Sequence, residues 1–328
     1  MEKLWNNPGF FLGEEDYESR MKSEVEVFCK EHMEAGDFQS FDGANIHYDY
    51  VIHPAERAAI VISHGFCEFV GKYYEMIYYY YQCGYSVFFI SHRGHGYSQR
   101  FVKEPDYVYV RDFSEYVEDL HLFMEQVVMK KSKTHKYLLY CHSMGGAIGG
   151  LFLEQYPQYF GSAVLSSPML EMFFTRFDLV KAHMALAWAH MAGWMGRLIP
   201  GQNGFDGAYD FAGSSGDSEP RYAYVLQMRK QTTEYQMSGG TYAWSGASLK
   251  AMKRARKNAG RVSIPVLLFQ AGKDDLVSPG GQEVFAKRSA HTRIEYFPES
   301  KHEIYNAVGE VRICYYGKVL DFYEEQIN

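Results

Sequence analysis

Short, almost wholly apolar runs recur along this chain, each separated from the next by a stretch long enough for a helix. They occupy residues 59–63, 86–90, 137–140, 163–166, 265–269 and 293–297. Such runs are too short for buried helices and lack the polar alternation of a strand with one wet face, so they read as strands covered on both sides. Strands that alternate with helices imply a largely parallel sheet between two helical layers. Residues 38–50 add two strands around an Asp42-Gly43 turn, which opens the sheet with a hairpin. The fold class is therefore α/β, a mostly parallel eight-stranded sheet flanked by helices.

Two stretches fall outside the alternation. Residues 1–36 read as a helical, charged prefix. Residues 169–245 hold no good strand, yet apolar and aromatic residues recur there at helical spacing, so they read as a helical cap inserted into a core made of residues 37–168 and 246–328. Within the cap, residues 182–195 are apolar on more than one face, while 201–207 and 213–218 are loop-like. A buried helix pair fits that pattern; so does a lid whose inner face receives an acyl chain and whose outer face touches a membrane or micelle.

Composition removes several classes. With 328 residues, 47% hydrophobic and 22% charged, the chain fits one enzyme-sized domain carrying an insertion. A formal net charge of -7 argues against nucleic acid as a partner, and the basic run at residues 250–257 has the spacing of a solvated helix face. The 5 cysteines lack CxxC or ligand spacing and are odd in number, which favours reduced thiols and a cytoplasmic location. The first residues lack the charged-then-apolar layout of a signal peptide, and no apolar run is long enough to cross a bilayer. Histidines and acids share no ligand spacing on a common element, so no metal is expected.

Chemistry concentrates at the ends of the strands. Ser143 lies between the strand-like residues 136–140 and a helix start rich in small residues, Gly145-Gly146. Strand, sharp turn and helix make the setting of a nucleophile elbow, in which the hydroxyl stands above the sheet and the next amide points into an oxyanion hole. Cys141 stands where the usual pattern has glycine. A serine hydroxyl is a weak nucleophile and needs a histidine base, a carboxylate to orient it, and donors for the oxyanion. Asp274 and Asp275 follow the run ending at Phe269, and Asp274 is preferred because Val277, three positions on, would plug the loop into the core and leave Asp275 facing solvent. Of 13 histidines, His302 is best placed for the base, at the junction where the loop after Phe297 enters a helix. His64, His92, His95 and His142 each have a structural alternative near the same mouth. Gly65 permits the tight backbone that turns an amide towards the reaction centre, so Phe66 and Met144 are the expected oxyanion donors. Residues 91–98 are glycine-containing but lack the dinucleotide fingerprint, and read as a structural turn.

On these motifs the chain resembles the α/β-hydrolase superfamily, in the branch of monoacylglycerol lipases and lysophospholipases. His64-Gly65-Phe66-Cys67-Glu68 with Gly71-Lys72-Tyr73 is similar to that branch's His-Gly-x-x-Glu segment and downstream Gly-Arg-Tyr; Arg93 to Ser98 resembles its Gly-His-Gly-x-Ser turn. His142-Ser143-Met144-Gly145-Gly146, Gln270-Ala271-Gly272-Lys273-Asp274 and Lys301-His302-Glu303 are similar to its elbow, acid loop and histidine loop. Departures are Cys141 for glycine and His92 where an acidic residue is frequent. The resemblance implies an α/β-hydrolase fold and a cofactor-free serine hydrolase of lipid-like carboxylic esters, lysophospholipid or monoacylglycerol, with the acid at Asp274. An aminopeptidase or amidase of the same fold would instead use cap carboxylates among Glu171, Asp178, Asp206, Asp210 and Glu234 to hold an amino group, and a binding protein would have kept the fold without turnover. Cap cations Arg176, Lys181, Arg197, Arg221, Arg229 and Lys230 could meet a phosphate, which would favour lysophospholipid.

Overall fold

The computed structural model describes residues 3–173 and 176–327. Its strands are β1 (Glu34–Gln39), β2 (Asn45–Val51), β3 (Ala58–Ser63), β4 (Tyr85–Ile90), β5 (Tyr107–Val108), β6 (Tyr137–His142), β7 (Ser162–Ser166), β8 (Gly239–Gly240), β9 (Val266–Ala271) and β10 (Thr292–Phe297). Eight of them form one sheet in the order β1-β2-β4-β3-β6-β7-β9-β10. Only β2 is antiparallel to its neighbours, β1 and β4; every other pairing is parallel.

The apolar runs fold as strands because both of their faces are covered. Ala59 and Val61 of β3 and Leu139 and Cys141 of β6 join one core, shared with the helices Met144–Gln155 and Tyr242–Asn258. Ala58, Ile60 and Ile62 of β3 and Leu138 and Tyr140 of β6 join the opposite core, shared with the helices Tyr74–Gln82 and Gly309–Ile327. Burial of alternate residues in opposite layers leaves no wet face, which is why these strands carry no polar alternation. Because the central strands are parallel, their carboxyl ends come to one edge of the sheet, where loops collect side chains from distant parts of the sequence.

Three expectations shift. The opening strand begins at Glu34, ahead of the expected prefix boundary, because antiparallel pairing continues from Gln39↔Asn45 back to Glu34↔Tyr50. The prefix is also part of the packed body: Trp5, Phe11, Leu12, Tyr17, Met21, Val25 and Phe28 are buried in one of the two main cores. Residues 169–245 do contain a strand, β8, which pairs in parallel with β5 but is only 2 residues of glycine and so carries no sequence pattern. The interval also holds the helices Arg176–Met191 and Glu219–Gln231, joined by residues 192–218, which are turns and irregular chain. The expected core boundary at 246 falls inside the helix Tyr242–Asn258, whose first turn is capped by Thr241 accepting the Trp244 N–H.

The helix Arg176–Met191 is not one of a buried pair. Phe177, Val180, Met184, Trp188 and Met191 are exposed, at helical spacing on one face, with Met191 at 78%. Leu179, His183 and Leu186, on the opposite side, line a cavity against the helix Tyr242–Asn258.

Candidate active site

Ser143 occupies the turn between β6 and the helix Met144–Gln155, with φ 50 and ψ -113. That conformation is strained for a side chain with a Cβ, by about 1–3 kcal/mol. The surroundings enforce it: the Ser143 N–H donates to the Ser166 C=O at 3.0 Å, and the Ser143 C=O accepts from Met169 at 2.8 Å. The helix can start this close to the sheet only because Gly145 lacks a Cβ, which would overlap the Ser63 carbonyl of β3. Cys141, the departure from the usual elbow, is fully buried, and burial pushes its thiol pKa up.

Asp274 and His302 meet. Asp274 Oδ2 lies 2.6 Å from His302 Nδ1, and Asp274 Oδ1 accepts the N–H groups of Leu276 at 2.9 Å and Val277 at 3.0 Å. Burial opposes ionisation of Asp274, but the bond and charge of His302, followed by the two amides, outweigh it and hold the carboxyl below its ordinary value. Val277 is buried and Asp275 exposed, so the loop is folded in the way the spacing predicts. His302 Nε2 is buried and has no hydrogen-bond partner among the described residues. With Nδ1 engaged by the carboxylate, Nε2 is the nitrogen left to accept a proton. The turn after β7 braces both halves of the site: Ser166 holds Ser143, and Ser167 Oγ donates to the His302 C=O at 2.7 Å.

The N–H groups of Phe66 and Met144 have no acceptor among the described residues, which leaves both able to donate to a developing oxyanion. The loop that carries Phe66 is tied down by Glu68, a residue quoted in the sequence motif without a role. Glu68 Oε2 accepts the Gly65 N–H and the Tyr73 hydroxyl, both at 2.5 Å, while Oε1 accepts Lys72 at 2.9 Å and Tyr305 at 3.0 Å. His142 Nδ1 adds a contact at 3.1 Å. Lys72 also pairs with Glu303 at 2.6 Å, beside His302 in sequence. Burial alone would raise the Glu68 pKa, but the Lys72 ammonium and then His142 hold it well below the ordinary value. Gly65 has no room for a side chain between the Glu68 carboxylate and the His142 ring.

The other histidines near the mouth have structural partners. His64 bonds the Gly65 C=O through Nδ1 and accepts the His92 N–H at Nε2, and burial lowers its pKa to about 4. His92 Nε2 meets Ser63, and His95 Nδ1 meets the Arg93 C=O. Residues 91–98 form a self-bracing turn: Ser98 Oγ donates to the Ser91 C=O, and buried Arg93 pairs with Asp119, Asp42 and Glu115.

Residues 54–308 match the family described as serine aminopeptidase, S33. The chain belongs to that family. A probable lysophospholipase L2 of Haemophilus influenzae is 27% identical over 259 residues, 78% of this chain and 81% of the relative. Lysophospholipase L2 of Escherichia coli (strain K12) is 33% identical over 221 residues, 66% of this chain and 64% of the relative. A soluble variant of monoglyceride lipase from Saccharomyces cerevisiae, solved with a substrate analog, superposes with TM-score 0.69 at 17% identity, covering 90% of this chain and 96% of that one. The fold of this S33-family chain is thus the α/β-hydrolase fold, as the strand pattern and motifs imply.

The charged cap residues of this S33 protein are mostly engaged elsewhere. Arg221 is buried against Glu75 and Glu14, Arg229 donates to the Tyr235 and Met237 C=O groups, Arg197 stacks over Trp194, and Lys181 lies over Phe177. Lys230 is exposed, and the side chain of Arg176 lies outside the described residues. Among the acids, Glu171 pairs with Arg256 at 3.4 Å, while Asp206 and Asp210 accept the backbone N–H groups of Ala208 and Gly213. No set of three or more His, Cys, Asp or Glu among the described residues is arranged to hold a metal ion.

Proposed function

We propose that the protein hydrolyses carboxylic esters of single-chain lipids, lysophospholipid or monoacylglycerol, through an acyl-enzyme on Ser143. The observation that carries this reading is the buried Asp274–His302 pair, 2.6 Å apart with Nε2 unpartnered, held by the same turn that holds the strained serine. His302 takes the Ser143 proton as the hydroxyl attacks the ester carbonyl and returns it to the leaving alcohol. Asp274 fixes the ring so that Nε2 is the accepting nitrogen, and stabilises the imidazolium that forms. The amides of Phe66 and Met144 receive the oxyanion. Water then enters and attacks the acyl carbonyl as His302 takes its proton; His302 returns that proton to Ser143 Oγ as the acyl–oxygen bond breaks, and the product leaves as the carboxylic acid, which ionises in water. The curated relatives named as lysophospholipases support the substrate class.

The exposed stripe Phe177, Val180, Met184, Trp188 and Met191 supports contact of the cap with a micelle or membrane surface, where such substrates reside. No helix among the described residues is long and apolar enough to cross a membrane. A cytoplasmic location is supported by Cys29, Cys67, Cys83, Cys141 and Cys314, all unpaired. An aminopeptidase reading finds less support, because Glu171, Asp206 and Asp210 already have local partners.

The test is a fluorophosphonate probe with a panel of monoacylglycerols, lysophospholipids and aminoacyl arylamides. Wild-type protein should be labelled on Ser143 and cleave the lipid esters. Ser143→Ala should lose labelling and on the order of 10³ or more of turnover. Ester hydrolysis that survives this substitution, or arylamide cleavage alone, overturns the reading.

A further inference from the structure

Between the end of β10 at Phe297 and the helical turn Ile304–Asn306, the chain that carries His302 belongs to no helix or strand. Its shape is imposed from outside, by two peptide units that are each held at both edges. The unit joining Ser300 to Lys301 has its C=O bonded by the Lys273 N–H at 2.9 Å, and its own N–H donates to Asp217 Oδ2 at 3.0 Å. The unit joining His302 to Glu303 has its C=O bonded by Ser167 Oγ at 2.7 Å, and its own N–H donates to the Ser215 C=O at 2.9 Å. In both units the carbonyl is gripped by the α/β core and the amide by residues 213–218 of the cap. That stretch is loop-like in the sequence and has no part in the mechanism so far.

A planar peptide unit with one hydrogen bond can swing about it, whereas bonds at opposite edges fix the plane. Two fixed planes, one before and one after the Lys301–His302 unit, set the direction in which the imidazole leaves the backbone. Asp274 then has only to orient the ring through Nδ1. The cap side of this clamp is itself anchored. The Ser218 N–H donates to the Asn306 C=O at 3.2 Å, Ser218 Oγ donates to Glu14 at 2.5 Å and accepts from Arg221, and Lys301 Nζ reaches the Ser214 C=O at 3.1 Å. Gly216 and Ser218 are buried and Asp217 is half-buried.

We propose that Asp217 is a positioning residue for the base, so that the cap sets the rate of the His302 proton transfers without touching the reacting atoms. The inference rests on the proposed serine hydrolysis and deepens it. It separates two roles of the inserted region, covering the substrate and holding the histidine loop.

Three variants test it. Asp217→Ala removes the acceptor, Asp217→Asn keeps a side-chain oxygen in its place, and Asp206→Ala removes an acceptor that serves the Ala208 N–H elsewhere in the cap. For a monoacylglycerol, Asp217→Ala should lower kcat at least about tenfold with KM within about threefold, since a displacement of about 1 Å in a catalytic group can cost 10²-fold. Fluorophosphonate labelling of Ser143 should slow in parallel. Asp217→Asn should stay within about threefold of wild type, and Asp206→Ala should match it. The proton resonance of His302 Nδ1–H, shared with Asp274, should shift in Asp217→Ala and keep its place in Asp217→Asn. An unchanged kcat and resonance in Asp217→Ala, an equal loss in Asp206→Ala, or a loss that Asp217→Asn shares in full overturns the inference. Amide exchange in the wild-type protein needs no variant to fold: the Lys301 and Glu303 amides should be protected together with the helix Glu219–Gln231, and exchange at free-chain rates overturns the clamp. If wild-type Ser143 neither takes the probe nor cleaves esters, the proposed function fails instead, and amide exchange with the Nδ1 resonance still judges the clamp.

Discussion

The sulfur of Cys141 occupies the space into which a side chain at Gly149 would project. Both are buried, Cys141 two residues before the nucleophile on β6 and Gly149 one and a half turns into the helix Met144–Gln155, and a Cβ at 149 would overlap the Cys141 Sγ. Gly149→Ala alone sets an overpacking cost of about 1–3 kcal/mol against a helix gain of about 1 kcal/mol, so it should be neutral to destabilising by up to about 2 kcal/mol. Cys141→Gly alone removes two buried heavy atoms and adds a flexible residue to a strand, and should cost about 2–3 kcal/mol. Made together, the overlap vanishes while the helix gain stays. The double variant should then be about 1–3 kcal/mol more stable than the sum of the singles predicts. Urea unfolding of the four proteins measures that coupling, with ester hydrolysis followed in parallel. Turnover by Cys141→Gly should stay close to wild type, because the raised thiol pKa leaves no thiolate to react. Stabilities that add within about 0.5 kcal/mol would refute the packing argument, and a large loss of turnover in Cys141→Gly would give the thiol a chemical role.

Asp274→Asn should cost far more turnover than Asp275→Asn, since only Asp274 bonds His302; steady-state ester hydrolysis ranks them, and the reverse order moves the acid by one residue. Glu68→Gln should destabilise the fold by about 3 kcal/mol at neutral pH, at the low end for a broken buried pair because Glu303 still holds Lys72. The folded-state pKa of Glu68 is depressed, so its ionic contribution is present above the unfolded carboxyl value and is lost as pH falls towards the folded one. Urea unfolding from pH 7 downwards should show the gap between wild type and Glu68→Gln closing below about pH 4.5, the ordinary value of a glutamate carboxyl; a gap independent of pH contradicts the assignment. Trp188→Glu/Met191→Glu should weaken binding to phospholipid vesicles at least about tenfold in a sedimentation assay, and unchanged binding removes the stripe from the interface.

The sheet was legible in the sequence because strands buried on both faces have no choice but to be apolar throughout. The acid loop was legible too: one apolar residue, Val277, decides which of two adjacent aspartates turns inwards. Glu68 was not, because its partners Tyr73, Lys72, His142 and Tyr305 converge from two short helical turns and a strand end, and no local pattern marks such a convergence. Ser167 is similarly silent; its φ of 43 is required by a turn that only the folded neighbours define. The cap cations misled for a related reason. Whether Arg221 faces water or Glu75 depends on a helix nearly 150 positions away in sequence, whose Glu75 accepts from Arg221 through both carboxylate oxygens.

The contacts of Arg221 also set how the inserted region comes apart. Its guanidinium, on the helix Glu219–Gln231, holds Glu75, Glu14 and the Leu12 C=O, and Arg312 from the last helix reaches the same Glu75 and the same carbonyl. Detaching this half strands buried charges, at a cost of several kcal/mol. The half formed by Arg176–Met191 presents an apolar face to water, with Phe177, Val180, Met184, Trp188 and Met191 exposed. Opening free energy is therefore distributed unevenly across the insertion, and amide hydrogens of the first half should exchange through local fluctuations while those of the second wait for larger unfolding events. The amino-terminal prefix, remote from the serine in sequence, is thus a structural anchor of the helix Glu219–Gln231.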